Sequence, residues 1–147
     1  RGTCACGTTT WTSTTAPTHL DYCYCTQCQR ISGSPFIAWL GLPHTSVSVQ
    51  GSIKTFRLLV SSGMNSIATR SCCADCGSTL SMQYDCYKGE KVHIAAGTVV
   101  EGEIGDGVGR CHIWIGDKPG WYDVAGDGGE RWEGFDEGFA ERVRRYE

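Results

Sequence analysis

The sequence predicts one mainly β domain of antiparallel strands, built around metal-thiolate sites and ending in a short C-terminal helix. Three observations lead to this fold class. Short segments alternate polar and apolar residues between turns of Gly, Pro and Ser, one segment near the C-terminus has helical periodicity, and 10 of the 147 residues are cysteines, most of them in tight clusters. Alternation with a period of two is typical of half-buried strands, and a single domain over residues 1–147 fits this length.

The strand pattern is clearest in four segments of the central chain. Each alternates polar and apolar side chains beside turn residues; they are residues 45–50, 53–57, 79–84 and 92–95. The predicted helix spans residues 135–146, where Phe135, Phe139 and Val143 recur every four residues with charges between them. This spacing places the three apolar side chains on one helix face. A short helical turn is also expected after Cys25.

Composition and charge exclude several functional classes. The 13 basic and 16 acidic residues give a formal net charge of −3, without the basic stripe that binds nucleic acid. The apolar runs are far shorter than the roughly 20 residues that cross a bilayer, so we expect no membrane span. No secretory signal is visible, and cysteines clustered for metal binding suit a reducing compartment. The sequence therefore predicts a cytoplasmic protein.

Ten cysteines in a small chain form either a disulfide framework or metal sites. Disulfide scaffolds usually scatter cysteines along loops, whereas spacings of two or three residues bring several sulfurs to one point. We therefore favour zinc over disulfides. The cysteines occur as Cys4-x-Cys6, Cys23-x-Cys25-x-x-Cys28 and Cys72-Cys73-x-x-Cys76, with Cys86 and Cys111 alone. Cys72 could replace Cys73 in the last group, although only Cys73 has the C-x-x-C spacing to Cys76.

Two of the cysteine pairs together predict a closed, structural zinc site. Cys4 and Cys6 are expected on a strand, where the period of two points both side chains to one face. Cys73 and Cys76, followed by Gly77, predict a tight knuckle, because glycine readily adopts the positive φ of such a turn. Four thiolates complete a tetrahedral coordination sphere, which is typical of a structural metal.

The remaining cluster has only three thiolates, from Cys23, Cys25 and Cys28. A zinc with three protein ligands keeps one position open for water, substrate or an incoming thiol, which is the catalytic arrangement. The alternative is a second closed site. Its fourth ligand would then be Cys86, Cys111, His93 or His112.

Two further residues are candidates for the chemistry. His112 is either a proton donor near the open zinc or a core imidazole hydrogen-bonded to backbone. Arg30 either binds a substrate carboxylate through its planar guanidinium or is an ordinary surface residue. Both are retained as candidate catalytic residues.

With these cysteines in place, the chain resembles the family of glutathione-dependent formaldehyde-activating enzymes, which also contains centromere protein V. The resemblance runs from Cys4 to about Asp127. Its motifs are Cys4-Ala5-Cys6-Gly7, residues 23–36, Cys73-Ala74-Asp75-Cys76-Gly77, Gly97-Thr98 and His112-Ile113-Trp114. The Ser-Gly-Ser-Pro-Phe flank at residues 32–36 is similar to the broader branch, whose members mostly lack an assigned substrate.

The resemblance implies a β-tent fold that carries two zinc ions. By that analogy, the structural ligands are Cys4, Cys6, Cys73 and Cys76. The ligands of the substrate-facing zinc are Cys23, Cys25 and Cys28. The activity that names the family is addition of glutathione to formaldehyde, which is a carbon–sulfur lyase reaction run in reverse.

The expected function is a zinc-dependent, carbon–sulfur lyase-like enzyme acting on a thiol adduct or a small carbonyl compound, with glutathione as candidate co-substrate. A soft, three-thiolate zinc suits a sulfur ligand. One alternative is a lyase or dehydratase of a larger metabolite that does not use glutathione. Another is a non-catalytic zinc module that binds a protein. A homodimer is compatible with any of these.

Overall fold

The computed structural model describes residues 1–59 and 66–146. Neither helix in these ranges is long and apolar enough to cross a membrane. In chain order the elements are β1 (Gly2–Thr3), β2 (Thr10–Ser13), β3 (His19–Cys23), α1 (Thr26–Ser32), β4 (Ile37–Pro43), β5 (Val47–Gln50), β6 (Ile53–Phe56), β7 (Ala68–Cys73), β8 (Thr79–Tyr84), β9 (Lys91–Ala95), β10 (Gly109–Ile113), β11 (Glu130–Arg131) and α2 (Glu137–Tyr146).

The strands form two sheets. The larger has the order β11-β10-β3-β4-β9-β8-β7-β6, and the smaller has the order β1-β2-β5. The prediction of a mainly β fold with antiparallel sheets and a short C-terminal helix is confirmed. The exception is β10, which pairs in parallel with both β3 and β11. Because β9 and β10 therefore run in the same direction, residues 96–108 form a crossover rather than a hairpin, as parallel strands require.

Three of the predicted strands have nearly the expected bounds, as β6, β8 and β9. The fourth was expected over residues 45–50 but begins only at Val47. Residues His44–Ser46 instead form a 3₁₀ turn, in which the buried Ser46 hydroxyl donates to the carbonyl of Pro43 at 2.8 Å. Hydroxyl-to-backbone bonds of this kind compete with strand pairing.

The C-terminal helix begins at Glu137, slightly later than the predicted residue 135. The Asp136 carboxylate accepts a hydrogen bond from the backbone N–H of Phe139 at 3.0 Å, which is the bond of an N-cap residue. The predicted apolar face is present: Phe139 and Val143 pack on the main core, and the Phe139 ring lies 4.6 Å from that of Tyr84. Helix α2 therefore covers one end of the large sheet.

One face of the large sheet gathers most of the polar and sulfur-bearing residues discussed below. Cross-strand partners in a sheet lie side by side on the same face. One row contains Asp21, Trp39 and Ala95, and the next contains His19, Gly41, His93, Met82 and Arg70. Cys23 points to this face as well, since it lies two residues beyond Asp21 on β3.

Candidate metal centres and substrate cavity

The four cysteines predicted to form a closed site lie together. The sulfurs of Cys4, Cys6, Cys73 and Cys76 are all within 4.8 Å of one another. The Sγ atom of Cys6 is 3.5 Å from that of Cys4 and 3.9 Å from that of Cys73. Four thiolates around zinc at about 2.3 Å stand about 3.8 Å apart, so this donor set fits a tetrahedral zinc.

The first pair reaches the cluster by a different route from the one predicted. Cys4 and Cys6 lie in a turn after β1 rather than on a strand. The prediction that strand geometry points both side chains to one face was therefore wrong. The turn is closed by the N–H of Gly7, which donates to the carbonyl of Cys4 at 3.1 Å, and Gly7 has a φ of +79°. The turn itself directs both sulfurs to one point.

The second pair forms the predicted knuckle. The N–H of Gly77 donates to the carbonyl of Cys73 at 2.9 Å, and Gly77 has a φ of +74°. The Thr9 hydroxyl donates to the Cys73 sulfur at 3.3 Å; this bond contributes most to lowering the pKa of Cys73 to about 5. A hydrogen bond with Ser78 lowers the pKa of Cys76 to about 7. Both thiols are therefore prepared for the deprotonation that metal binding requires.

Gly77→Ala is expected to destabilise the protein by about 1–2 kcal/mol, the cost of a left-handed conformation for a residue with a side chain. An added Cβ would meet no atom within 4 Å, so steric overlap adds nothing. Urea unfolding measures the change. Gly97→Ala is the control, because its Cβ would also be unobstructed but its φ is not positive. Equal effects at both glycines would contradict the strain argument.

The second cluster lies where β3 passes into α1. The sulfurs of Cys23, Cys25 and Cys28 are within 4.8 Å of one another. Cys23 ends β3, and Cys25 is the N-cap of α1, where its sulfur accepts a hydrogen bond from the N–H of Cys28 at 3.4 Å. Cys23 and Cys28 are buried, whereas Cys25 is half-buried. The helical turn that was expected after Cys25 is present as α1.

No fourth ligand joins these three sulfurs in residues 1–59 and 66–146. The four residues considered for that role, Cys86, Cys111, His93 and His112, have no ligand atom in the group. All ten cysteines have free thiols, and seven of them belong to the two clusters, which agrees with metal sites rather than a disulfide framework. Cys72 lies outside both clusters, so Cys73 is the member of the knuckle.

A buried arginine that sequence reasoning did not single out stands beside the three thiols. The Arg70 side chain on β7 is 4% exposed, and its two terminal nitrogens lie 3.8 and 3.9 Å from the Cys28 sulfur. Hydrogen bonds from Cys23 and Cys25, together with the Arg70 charge, lower the pKa of Cys28 to about 3. The interaction with Cys25 contributes most to raising the pKa of Cys23. Negative charge therefore concentrates on Cys28, where the guanidinium balances it.

Arg70→Met is expected to make this cluster lose zinc at a pH about one unit higher than the wild type does. Removing the positive charge raises the pKa of Cys28, so protons displace the metal earlier as the pH falls. Zinc release to a chelator, measured against pH, tests this. Arg110→Met removes an exposed arginine from the cavity wall and serves as the control. Superimposable release curves for Arg70→Met and wild type would contradict the expectation.

A cavity of about 890 Å³ shares part of its lining with the apolar cluster around Cys23 and Cys28, although none of the three clustered cysteines lines it. Trp39, Met82, Tyr84 and Ile113 line this cavity and also pack in the apolar cluster that holds Cys23 and Cys28. Helix α2 closes another side with Phe139. The volume is within the range of small-molecule sites. The rest of the lining is strongly polar and includes five acidic residues, which are Asp21, Asp106, Asp127, Glu130 and Asp136.

The polar end of the cavity contains four interacting groups. The Asp21 carboxylate is 3.2 Å from Nε2 of His19 and 3.9 Å from Nε2 of His93. The Lys91 ammonium lies 2.7 Å from Nε2 of His19. Burial lowers the pKa of His93 to about 3 and also lowers the pKa of Lys91. His93 is therefore a neutral imidazole.

His112 lies on β10 and makes side-chain rather than backbone hydrogen bonds through both ring nitrogens. Its Nδ1 is 3.0 Å from the Tyr24 hydroxyl, and its Nε2 is 2.9 Å from the Asp127 carboxylate. Asp127 lines the cavity, whereas Tyr24 is buried between two of the clustered cysteines. Arg30 lies in the last turn of α1 and is exposed. The catalytic roles of both candidates stay predictions.

Two cysteine clusters that could hold zinc, one with four sulfurs and one with three, distinguish this mainly β protein. The chain belongs to the glutathione-dependent formaldehyde-activating enzyme family, whose model matches residues 1–117. A crystal structure of a Rhodobacter sphaeroides protein is similar in fold, with a TM-score of 0.52 at 14% identity, covering 89% of this chain and 97% of that one. The comparison with curated proteins finds no significant match.

Proposed function

We propose that the protein is a zinc-dependent, carbon–sulfur lyase-like enzyme that adds a thiol to a small carbonyl compound and cleaves the adduct. The observation that carries the proposal is the three-sulfur cluster of Cys23, Cys25 and Cys28, without a fourth ligand in the described residues, beside a cavity of about 890 Å³. The family name supports glutathione as the thiol and formaldehyde as the carbonyl compound. Two zinc ions per chain, one in each cluster, are part of the proposal.

The reaction is a balanced addition. The thiol gives up its proton, its sulfur forms a bond to the carbonyl carbon, and the carbonyl oxygen takes a proton to become a hydroxyl. The reverse reaction breaks the carbon–sulfur bond and returns the thiol and the aldehyde. When bound at Cys23, Cys25 and Cys28, zinc supplies Lewis acidity and an affinity for sulfur.

Residues of the chain itself offset the negative charge of the thiolates and provide apolar surface beside them. The Arg70 guanidinium offsets part of the negative charge of the three thiolates, which would otherwise repel an incoming thiolate. Trp39, Met82 and Tyr84 line the cavity and also pack in the apolar cluster that holds Cys23 and Cys28. A carbonyl group that approaches the three sulfurs from the cavity would meet these apolar side chains, beside which electrostatic interactions are stronger than in water.

The proton role is assigned to the chain of hydrogen bonds that joins Asp127, His112 and Tyr24. Asp127 meets the cavity, so His112 would exchange protons with substrate through this carboxylate. We expect His112→Gln and Asp127→Asn each to lower turnover by about 10²-fold. Steady-state rates and melting temperatures, measured on the same samples, test this. A loss of stability with unchanged turnover would leave these hydrogen bonds only a structural role.

The function is tested directly by mixing the zinc-loaded protein with glutathione and ¹³C-formaldehyde and measuring exchange between free and adduct carbon by NMR. The expected result is faster exchange with wild-type protein and none beyond the spontaneous rate with Cys25→Ser. Exchange with other thiols or larger aldehydes, but not with glutathione, would favour a different metabolite. No acceleration with any thiol and aldehyde, at full zinc content, would contradict the enzyme proposal and favour a zinc module that binds a protein. A homodimer and a cytoplasmic location stay predictions.

A further inference from the structure

A third group of metal-ligating side chains lies in the same cavity but apart from the two cysteine clusters. His19 and Asp21 alternate along β3, and His93 lies on β9. One ring nitrogen of each histidine and one carboxylate oxygen of Asp21 are within 4.8 Å of one another. Neither strand pattern nor cysteine spacing had indicated this group.

The two histidine rings approach each other because β4, the strand between them, has a glycine at the position that pairs with both. Gly41 on β4 pairs with His19 on one side and with His93 on the other. A Cβ at Gly41 would stand only 2.4 Å from Cε1 and 2.5 Å from Nε2 of His19. Without a side chain at this position, the His19 ring lies over the intervening strand, and the two ring centres come within 6.3 Å.

The donor atoms are arranged as ligands of one small cation. Zinc holds imidazole nitrogen and carboxylate oxygen at about 2.0–2.2 Å, so tetrahedral ligands of this kind stand about 3.4 Å apart. The Asp21 oxygen is 3.2 Å from one Nε2 and 3.9 Å from the other. Nδ1 of His19 lies 2.9 Å from the Thr18 hydroxyl, a partner that orients the ring and leaves Nε2 facing the group.

We propose that His19, Asp21 and His93 form a further metal site, which takes a first-row divalent cation such as Zn²⁺ through two imidazole nitrogens and one carboxylate. Three protein ligands leave room for ligands from the cavity. Asp21 lies two residues, or about 6.6 Å of strand, from Cys23, so this site would be a centre separate from the three-cysteine site. The inference does not depend on the proposed reaction.

The Lys91 ammonium occupies a position beside His19 that a bound cation would need. It lies 2.7 Å from Nε2 of His19 and 5.5 Å from the centre of the Tyr87 ring. A cation on His19 must displace this contact, and the like charges repel. Lys91 and the metal therefore compete, so Lys91→Met should tighten metal binding by about tenfold. A site built to hold an anion through Lys91 would gain no affinity for a cation from that change.

The test uses the full chain with both cysteine clusters loaded with zinc, titrated with Co²⁺. We expect one Co²⁺ per chain with weak visible bands and without thiolate-to-cobalt charge-transfer absorption, because the ligands are nitrogen and oxygen. Asp21→Asn and His19→Ala should each weaken binding at least about tenfold. His44→Ala, at an exposed histidine near Gln83, should leave it unchanged. The weaker Co²⁺ binding of Asp21→Asn and His19→Ala supports the site when the circular dichroism spectrum and the zinc content of each variant match those of the wild type.

Four results would overturn the site. Three are the absence of Co²⁺ binding at millimolar concentration, charge-transfer bands that place the cobalt on cysteine sulfur, and equal affinity in Asp21→Asn and wild type. An unchanged or weaker affinity in Lys91→Met would also contradict it. His93 is buried, so His93→Ala serves only as a supporting variant when its fold is intact.

Discussion

Replacing Cys73 by serine is expected to remove one zinc per chain and to lower the melting temperature by at least about 15 °C. The sulfur is buried in the four-thiolate cluster and accepts a hydrogen bond from Thr9. A structural zinc contributes a large part of the folding free energy of small metal-binding domains, because the site does not exist in the unfolded chain. Zinc content and thermal unfolding, followed together, measure the effect.

Cys72→Ser is the matched control, because it changes the adjacent cysteine of the same strand, which is half-buried and outside both clusters. It should keep the full zinc content and shift the melting temperature by only a few degrees, as expected for a substitution away from a metal site. If the two serine variants behaved alike, the four-thiolate cluster would not be a structural zinc site.

Cys25→Ser is expected to lower the zinc content from two to about one per chain and to reduce turnover at least about a thousandfold, while the fold survives. The loss corresponds to several kcal/mol of transition-state stabilisation, the range expected from a catalytic metal. The fold should tolerate the change because Cys25 is half-buried and serine is a good N-cap residue for α1. Elemental analysis measures the zinc content, the melting temperature checks the fold, and the exchange assay measures turnover on the same samples.

Cys111→Ser is the control for this second prediction. Cys111 is half-buried and lines the same cavity, but it lies outside the three-sulfur cluster. It should retain both zinc ions and most of the activity. A single zinc that is present in wild type and survives Cys25→Ser would contradict a separable, substrate-facing site and would favour a structural or binding module.

The close approach of neighbouring cysteines could be predicted from the sequence because spacing is a local property. Joining the Cys4–Cys6 pair to Cys73 and Cys76 was not local, since Cys6 and Cys73 are 67 residues apart; it followed from the four thiolates of a tetrahedral zinc site and from the family resemblance. A spacing of two or three residues limits how far apart the sulfurs can lie, whichever turn or strand carries them, so Cys4 and Cys6 were paired correctly although their backbone is a turn. β8 was predicted with its full bounds for the same reason, since alternation is a local property.

The other parts of the site depend on which strands become neighbours, and that is not a local property. Arg70 reaches Cys28 only because α1 packs against the face of the sheet that β7 shares. The parallel position of β10 depends on a long crossover. One available signal was not used: His19, Asp21 and Cys23 alternate in the sequence, which predicts that they share one face of a strand.

The position of Cys25 links metal retention to local unfolding. Helix α1 has seven residues, far fewer than the roughly 12–15 that an isolated helix needs to persist in water. Its N-cap sulfur and the Cys28 sulfur of its first turn both belong to the three-cysteine cluster. Helix initiation and cation affinity would therefore be thermodynamically linked, and we expect α1 to fray separately from the sheet when a bound cation leaves the cluster. Amide protons of α1 would then report occupancy through their exchange rates.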